Sequence, residues 1–266
     1  MSPTSRCPAC QAPANHRQFV TLFREIECSL HECTQCKTCF FLNPDWLDRA
    51  YSDSISKLDT GIAQRTNDIA NVLAAILTPQ KSKHDKFLDY GGGYGILART
   101  MRDRGFNFSS FDPLTATLFS LPSHGPTHFR LVTLIEVLEH LTQPLNTLRE
   151  ISQNCDLILI STLALPPEGI DSSWWYLLPD TGQHVFFPSQ EGLKLMASEL
   201  SMHLTSNGEN LHLFSRKKIG GVVAFLIKHQ RIAWLIGHFL VPFTRGKSLA
   251  QLDMAEKTFE IYQKGS

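Results

Sequence analysis

The chain has 266 residues, 42% of them hydrophobic, with 25 Lys and Arg against 25 Asp and Glu. That length suits one α/β domain of ordinary size with a small appendage, and the apolar content is enough for a real core. A formal net charge of zero leaves no global field to draw in nucleic acid or an anionic surface. The stretch Met1 to Cys7 lacks an apolar h-region, so no signal peptide is expected and the chain is placed in the reducing cytoplasm.

Six of the seven cysteines fall within the first 39 residues. Cys7-Pro8-Ala9-Cys10 and Cys33-Thr34-Gln35-Cys36 are two C-x2-C pairs separated by 22 residues. In a reducing compartment such clustering points to metal ligands rather than disulfides. Four thiolates in two tight turns can close a tetrahedron about Zn2+ at roughly 2.3 Å per bond. The expected set is Cys7, Cys10, Cys33 and Cys36, with the fourth place left open because Cys39 forms an overlapping pair with Cys36 and Cys28 is near in sequence. A closed four-sulfur site has no open position for chemistry, so its role would be to fold a segment too short to build its own core. Redox or catalytic thiols are the competing reading. Cys155, alone before an apolar run, reads as a buried strand residue.

Ile69, Val72, Leu73, Ile76 and Leu77 share one helical face, and Pro79 ends that run, which predicts a helix over 67–77. Next, the apolar Phe87-Leu88 and the acid Asp89 lead into Gly91-Gly92-Gly93-Tyr94-Gly95, followed by a helical stretch from Ile96 that ends near Gly105. A strand that breaks into glycines before a helix lets backbone approach a ligand closely, because glycine has no Cβ. A dinucleotide turn needs G-x-G-x-x-G; here Ile96 takes the place of the last glycine, which counts against a nicotinamide cofactor. Phe106 to Phe111 alternates toward a second strand that stops at Asp112.

The segment from Phe87 to Gly95 resembles the nucleotide loop of class I S-adenosylmethionine-dependent methyltransferases. An acid in the place of Asp89 suits a cofactor with a cationic amino group and no phosphate. On this resemblance the cofactor residues are Asp89, Gly91, Gly93, Gly95, Asp112 for the ribose hydroxyls, and Glu136. Glu32 to Pro44 likewise looks like the zinc-ribbon lead-in of some small-molecule methyltransferases, with Lys37 replacing the glycine usual after the second cysteine. The implied fold is an α/β, Rossmann-like methyltransferase sheet ending in an antiparallel hairpin and preceded by a small zinc ribbon. The resemblance covers about residues 7 to 215.

Leu131 to Ile135 and Asp156 to Thr162 read as buried strands, with a crossover helix from Thr142 to Ser152 between them. Ser189 to Leu200 reads as a helix capped by Ser189. Met202 to Thr205 and Asn210 to Phe214 form the expected closing hairpin. One part of the family pattern is missing. Only 16 residues separate Asp112 from Phe129, where relatives fit a helix, a third strand and an acidic loop for adenine; His124, Gly125 and Pro126 supply no strand, and the adenine contact is unassigned.

Glu136-Val137-Leu138-Glu139-His140 follows the fourth strand. A turn of helix there would bring Glu136, Glu139 and His140 onto one face. In some O-methyltransferases that this stretch resembles, two acids and the histidine hold a divalent ion, and two oxygens with an imidazole suit Mg2+, Mn2+ or Zn2+. The alternative is that Glu139 and His140 only brace the next helix. Further on, Trp174-Trp175-Tyr176 and Gly182-Gln183-His184 lie in a long loop after the fifth strand, where acceptors of open α/β sheets bind. Flat aromatic faces suit a sugar ring. His184, with His140 beside it as a second catalytic candidate, is the expected general base; the bland reading is that the tryptophans pack on the core and His184 ties down a loop.

From Ile219 to Phe243 the chain is largely apolar but is interrupted by Lys228, His229, Gln230 and Arg231, so a spanning helix is not available. A helical pair covering the acceptor site or forming a dimer contact is one expectation. Peripheral membrane contact, helped by Arg216-Lys217-Lys218 and Trp234, is the other. The expected layout is a zinc ribbon over 1–48, a methyltransferase domain over 49–216 and a helical extension over 217–266. The expected activity is methyl transfer from S-adenosylmethionine to a small-molecule hydroxyl, a saccharide or natural product. A methyltransferase-like binding module without transfer, and a methyltransferase acting on RNA or protein, are the alternatives; the first would give no S-adenosylhomocysteine with any acceptor.

Overall fold

A computed structural model describes residues 5–51, 60–80, 82, 84–121, 127–244 and 248–264. His124, Gly125 and Pro126 lie outside them. The chain forms two compact units, Met1–Ser56 with Leu134–Ile219, and Lys57–Thr133 with Gly220–Ser266. These units do not follow the sequence partition near 48 and 216, because long-range pairing within each unit joins stretches that are far apart in the chain.

In the first unit, β1 (Ala14–Leu22), β2 (Ile26–Cys33) and β3 (Cys39–Phe41) make an antiparallel sheet that β8 (Phe186–Phe187) completes by pairing with β3, Cys39 opposite Phe187. The β1–β2 hairpin has no obvious sequence signal. Its turn puts Phe23 and Arg24 at φ of 52° and 63°, a conformation that Asn and Gly usually supply. Tertiary contacts hold it instead: Phe23 N donates to the Pro179 carbonyl at 2.9 Å, and the Arg49 guanidinium stands 4.3 Å above the Phe23 ring. Val20, Leu22, Leu30, Phe41, Trp46, Tyr176, Leu177 and Phe187 form the core beneath this sheet. The short helix α1 (Leu47–Ala50) brings Tyr51 to its end.

The second sheet has the strand order β5-β4-β6-β7-β10-β9 and is mainly parallel. Its strands are β4 (Phe87–Tyr90), β5 (Phe108–Phe111), β6 (Phe129–Ile135), β7 (Cys155–Ser161), β9 (His203–Ser206) and β10 (Leu211–Ser215). β4 runs parallel to both β5 and β6, whereas β10 is antiparallel to β7 and β9. This is the expected Rossmann-like methyltransferase sheet with its closing hairpin. β5 is the edge, and no strand stands outside it among the described residues, in line with the short stretch after Asp112. Cys155 opens β7 and is fully buried, as expected.

The helices are α2 (Ile62–Leu77), α3 (Ile96–Asp103), α4 (Pro144–Ser152), α5 (Gln190–Glu199), α6 (Gly221–Lys228), α7 (Gln230–Thr244) and α8 (Ala250–Lys264). Ser189 caps α5 by accepting from Gly192 N at 2.8 Å. Within the second unit, Phe87 stacks on Phe108 at 5.0 Å between ring centres. There too, Arg102 of α3 donates through Nε to Asp253 of α8 at 2.8 Å. Two N–H groups from one guanidinium on one buried carboxylate hold α8 in a fixed orientation on α3.

Candidate functional site

The glycine loop lies in the second unit, between β4 and α3. Gly91, Gly93 and Gly95 have φ of 69°, 53° and 83°; Gly95 does so at the N-cap of α3, where a Cβ would also lie 2.9 Å from Thr117 Cγ2. Gly92 is required for a different reason. A Cβ there would stand 2.4 Å from Asp89 Oδ2 and 2.5 Å from Ser110 Oγ. The backbone thus sits directly on the ends of β4 and β5, with Gly91 N donating to the Phe111 carbonyl at 2.8 Å and Gly95 N to the Gly92 carbonyl at 2.9 Å, and the missing Cβ atoms let a ligand approach the chain closely.

Two acids brace this loop. Asp112 accepts from Gly93 N at 2.9 Å and from Leu114 N at 2.8 Å, which ties the loop to the end of β5 and leaves each oxygen a second lone pair for a ribose hydroxyl. Asp89 lies beneath the loop. It is 3% exposed and accepts from Thr133 Oγ1 at 2.8 Å. Burial pushes its carboxyl up to about 7, against the Thr133 hydrogen bond and with help from Asp112. The folded chain therefore holds this proton more tightly than the unfolded chain does. The resulting stabilisation is present below the unfolded value near 4 and is lost as pH rises through about 7. An amide at this position does not titrate, so Asp89→Asn should gain about 3 kcal/mol on the wild type between roughly pH 5 and pH 8. Urea unfolding of both proteins at the two pH values measures this, and a constant difference would contradict the burial argument.

The acceptor-side candidates lie in the first unit. After β6, Glu136 takes φ of 53° and Leu138–His140 forms one 3-10 turn. That turn places Glu139 inward, fully buried, where burial raises its carboxyl. Tyr176 Oη is 2.6 Å from Glu139 Oε1 and 3.1 Å from Glu136 Oε2. One hydroxyl proton serves two carboxyl groups, so a protonated Glu139 satisfies the triad. Glu139 Oε2 is buried without a hydrogen-bond partner among the described residues.

Donor atoms of Glu139, His140 and His184 all lie within 4.8 Å of one another. This corrects the expected grouping of Glu136, Glu139 and His140. The 3-10 turn is tighter than an α-helical one, and Glu136 instead accepts from Ser161 Oγ at 2.6 Å and meets Tyr176. His184 stands 8 residues from its hydrogen-bond partner, the Tyr176 carbonyl, at 2.7 Å from Nδ1. A carbonyl only accepts, so Nδ1 carries the proton and Nε2 is the basic nitrogen of the neutral ring. His140 Nδ1 is 2.8 Å from the Tyr51 hydroxyl and 3.2 Å from the Gln183 carbonyl.

Tyr51 and Tyr176 complete this cluster, and neither was picked out by the sequence as a partner of the histidines. Burial is the main cause that pushes both phenols up. Trp174 packs against Tyr176 and Phe187, at 5.5 and 5.6 Å between ring centres, whereas Trp175 is 67% exposed. The core reading therefore holds for Trp174, and Trp175 is the aromatic face left to solvent. The Gly182-Gln183-His184 segment is seated on the N-terminal segment: Trp46 Nε1 donates to the Gly182 carbonyl at 2.9 Å, and Gln183 Nε2 to the Ala50 carbonyl at 2.9 Å.

The four expected thiols converge in the same unit. Cys7, Cys10, Cys33 and Cys36 Sγ atoms lie within 4.8 Å of one another, with Cys7–Cys36 at 3.7 Å and Cys10–Cys33 and Cys10–Cys36 at 3.5 Å. A tetrahedral ion with bonds of about 2.3 Å separates its sulfurs by about 3.8 Å, so the set fits. Each C-x2-C turns a backbone amide onto its first sulfur: Ala9 N points at Cys7 Sγ, two residues back, and Cys36 N at Cys33 Sγ, three residues back, both at 3.4 Å. The residue after each second cysteine, Gln11 or Lys37, has φ of 63° or 64°. Lys37 thus carries the strain, about 1 kcal/mol, that a glycine would relieve. Cys39 Sγ faces the Lys37 carbonyl at 3.8 Å and Cys28 Sγ the Ile26 carbonyl at 3.8 Å, so the fourth place goes to Cys36. Ser189, the cap of α5, donates to the Cys36 carbonyl and fastens the cluster to that helix.

Residues 62–201 match the model of the family described as "Methyltransferase domain". A search of the curated proteins by sequence finds no match. Among solved structures, TnmH is 18% identical, with a TM-score of 0.43 over 60% of this chain and 57% of that one. Human N-acetylserotonin methyltransferase in complex with S-adenosylmethionine is 16% identical, with a TM-score of 0.42 over 57% of this chain and 52% of that one. Magnesium protoporphyrin IX methyltransferase from Synechocystis, with bound S-adenosylhomocysteine, is 12% identical, with a TM-score of 0.46 over 65% of this chain and 94% of that one. This chain spans a little over half the length of the first two.

Proposed function

Since the chain belongs to the methyltransferase-domain family, we propose that it transfers the methyl group of S-adenosylmethionine to a hydroxyl of a small molecule, a saccharide or natural product. The observation that carries this reading is the loop from Gly91 to Gly95, whose φ angles and missing Cβ atoms hold a largely side-chain-free stretch of backbone over the ends of β4 and β5. Asp112 would hold the ribose, and Asp89 acts from below the loop by keeping it seated. The bound cofactor supplies an electrophilic methyl on a sulfonium, and in-line transfer then needs mainly alignment.

His184 takes the acceptor's proton through Nε2, while the Tyr176 carbonyl on Nδ1 fixes the ring and its tautomer. Tyr51 and the Gln183 carbonyl orient His140 in the same manner. Trp175 offers an exposed flat face for a sugar ring. A structural Zn2+ would be held by Cys7, Cys10, Cys33 and Cys36 and would fold the segment on which Gly182-Gln183-His184 rests. Reduced thiols in this set favour a cytoplasmic location. A second divalent ion is the other reading of the histidine pair. Glu139, His140 and His184 are the matching donor set, and the unpartnered Glu139 Oε2 favours it.

Calorimetric titration with S-adenosylmethionine and S-adenosylhomocysteine, with NAD as control, tests the cofactor assignment. Binding of the first two and not the third is expected, and silence from all three would leave only a binding module of another kind. In an acceptor screen, His184→Gln should lower kcat by about 10²–10⁴-fold with cofactor affinity unchanged. Loss of turnover on adding a chelator that leaves the four-cysteine zinc in place would transfer His184 from base to metal ligand.

A further inference from the structure

Helix α7 in the second unit has two apolar faces. One is spent on α2: Ala233 and Gly237 are buried, a Cβ at Gly237 would lie 1.7 Å from the Asn71 carbonyl oxygen, and Trp234 Nε1 donates to Asp68 at 2.7 Å. Trp234 is therefore a packing residue, not the membrane anchor its sequence position suggested. The other face is exposed. Ile232, Leu235, Ile236, Phe239 and Phe243 recur at helical spacing and form one stripe. Phe239 is 70% and Phe243 78% exposed. On α6, Val222 and Phe225 are exposed as well. A helix packed on one side needs no second apolar face, and a continuous stripe of this size marks a contact with something else.

Charge identifies the occupant. From Asn210 to Leu252 the sequence has seven Lys or Arg and no Asp or Glu, in a chain whose formal net charge is zero. Lys228, at the end of α6, and Arg231, in the first turn of α7, are exposed. A second copy docked by a two-fold axis would set this acid-free segment against itself, like charge against like. An anionic lipid surface offers the opposite charge and a hydrocarbon boundary for the stripe. No helix of the described residues is long and apolar enough to cross a membrane, so the contact lies in the interfacial plane. We propose that α6 and α7 dock on an anionic bilayer, with Ile232, Leu235, Ile236, Phe239 and Phe243 entering the headgroup–acyl boundary and Lys228 and Arg231 meeting lipid phosphates.

The full chain is tested by co-sedimentation with vesicles of phosphatidylcholine alone and of phosphatidylcholine mixed with phosphatidylserine. Binding to the mixed vesicles only, weakened by salt, is expected. Paired Lys228→Gln and Arg231→Gln should weaken it roughly 30-fold, at about 1 kcal/mol per charge. Paired Phe239→Ser and Phe243→Ser should weaken it by at least about tenfold. Both pairs are exposed, so unchanged circular dichroism and melting verify the fold. Equal binding to neutral vesicles, or none to either kind, overturns the proposal. Self-association that the phenylalanine variant abolishes, without vesicle binding, assigns the stripe to a second copy instead. Vesicle binding is read without cofactor or acceptor, so its outcome does not depend on methyl transfer.

Discussion

Gly92→Ala is expected to weaken S-adenosylmethionine binding by at least about 100-fold and to cost about 1–3 kcal/mol of stability. The added methyl carbon would meet Asp89 Oδ2 at 2.4 Å and Ser110 Oγ at 2.5 Å. Neither neighbour can retreat: Asp89 is 3% exposed and bonded to Thr133, and Ser110 is fully buried in β5. The loop must lift instead, and the backbone surface proposed to receive the cofactor lifts with it. This is a steric effect, since Gly92 is not among the glycines with positive φ. Gly208→Ala is the matched control. Its φ is +84° with no atom within 4 Å of the added carbon, so it should lose about 1 kcal/mol and bind the cofactor normally. Calorimetry on both variants decides the matter. Wild-type affinity in a folded Gly92→Ala protein would remove this loop from the cofactor site.

Cys36→Ser is expected to abolish zinc binding at the proposed four-cysteine site and to melt the first unit's N-terminal sheet, whereas Cys39→Ser is expected to bind zinc as the wild type does. Structural zinc sites contribute on the order of 10 kcal/mol of folding free energy where the segment cannot fold alone. Here the effect should reach the histidine cluster, because β3 pairs with β8 next to the Gly182-Gln183-His184 segment, and Trp46, Ala50 and Tyr51 hold that segment and His140 by hydrogen bonds. Cys39 is equally buried but its sulfur faces the Lys37 carbonyl, so it controls for the loss of a buried thiol. Metal content and thermal melting of the two purified variants are the measurements. Zinc retained by Cys36→Ser and lost by Cys39→Ser would reassign the fourth ligand.

What the sequence determined by itself was local. A glycine at 91, 93 or 95 reports a backbone angle at that residue, and two C-x2-C pairs report knuckles that close within four residues; both were legible and both appear where expected. Runs such as Phe87 to Asp89, Leu131 to Ile135 and Asp156 to Thr162 were legible as strands because a buried strand needs only a short apolar run. The tertiary structure alone decided the rest. His184 joins Glu139 and His140 across more than 40 residues, and Tyr51 reaches His140 across 89; no local pattern encodes which side chains a turn of unknown pitch will face. The 3-10 turn at Leu138–His140 moved Glu136 out of that group. The β1–β2 turn has no local signature because packing, not glycine, holds Phe23 and Arg24 at positive φ. For α7, hydropathy could not say which apolar face would pack on α2 and which would remain in water, since that choice belongs to the shape of the neighbour and not to the helix.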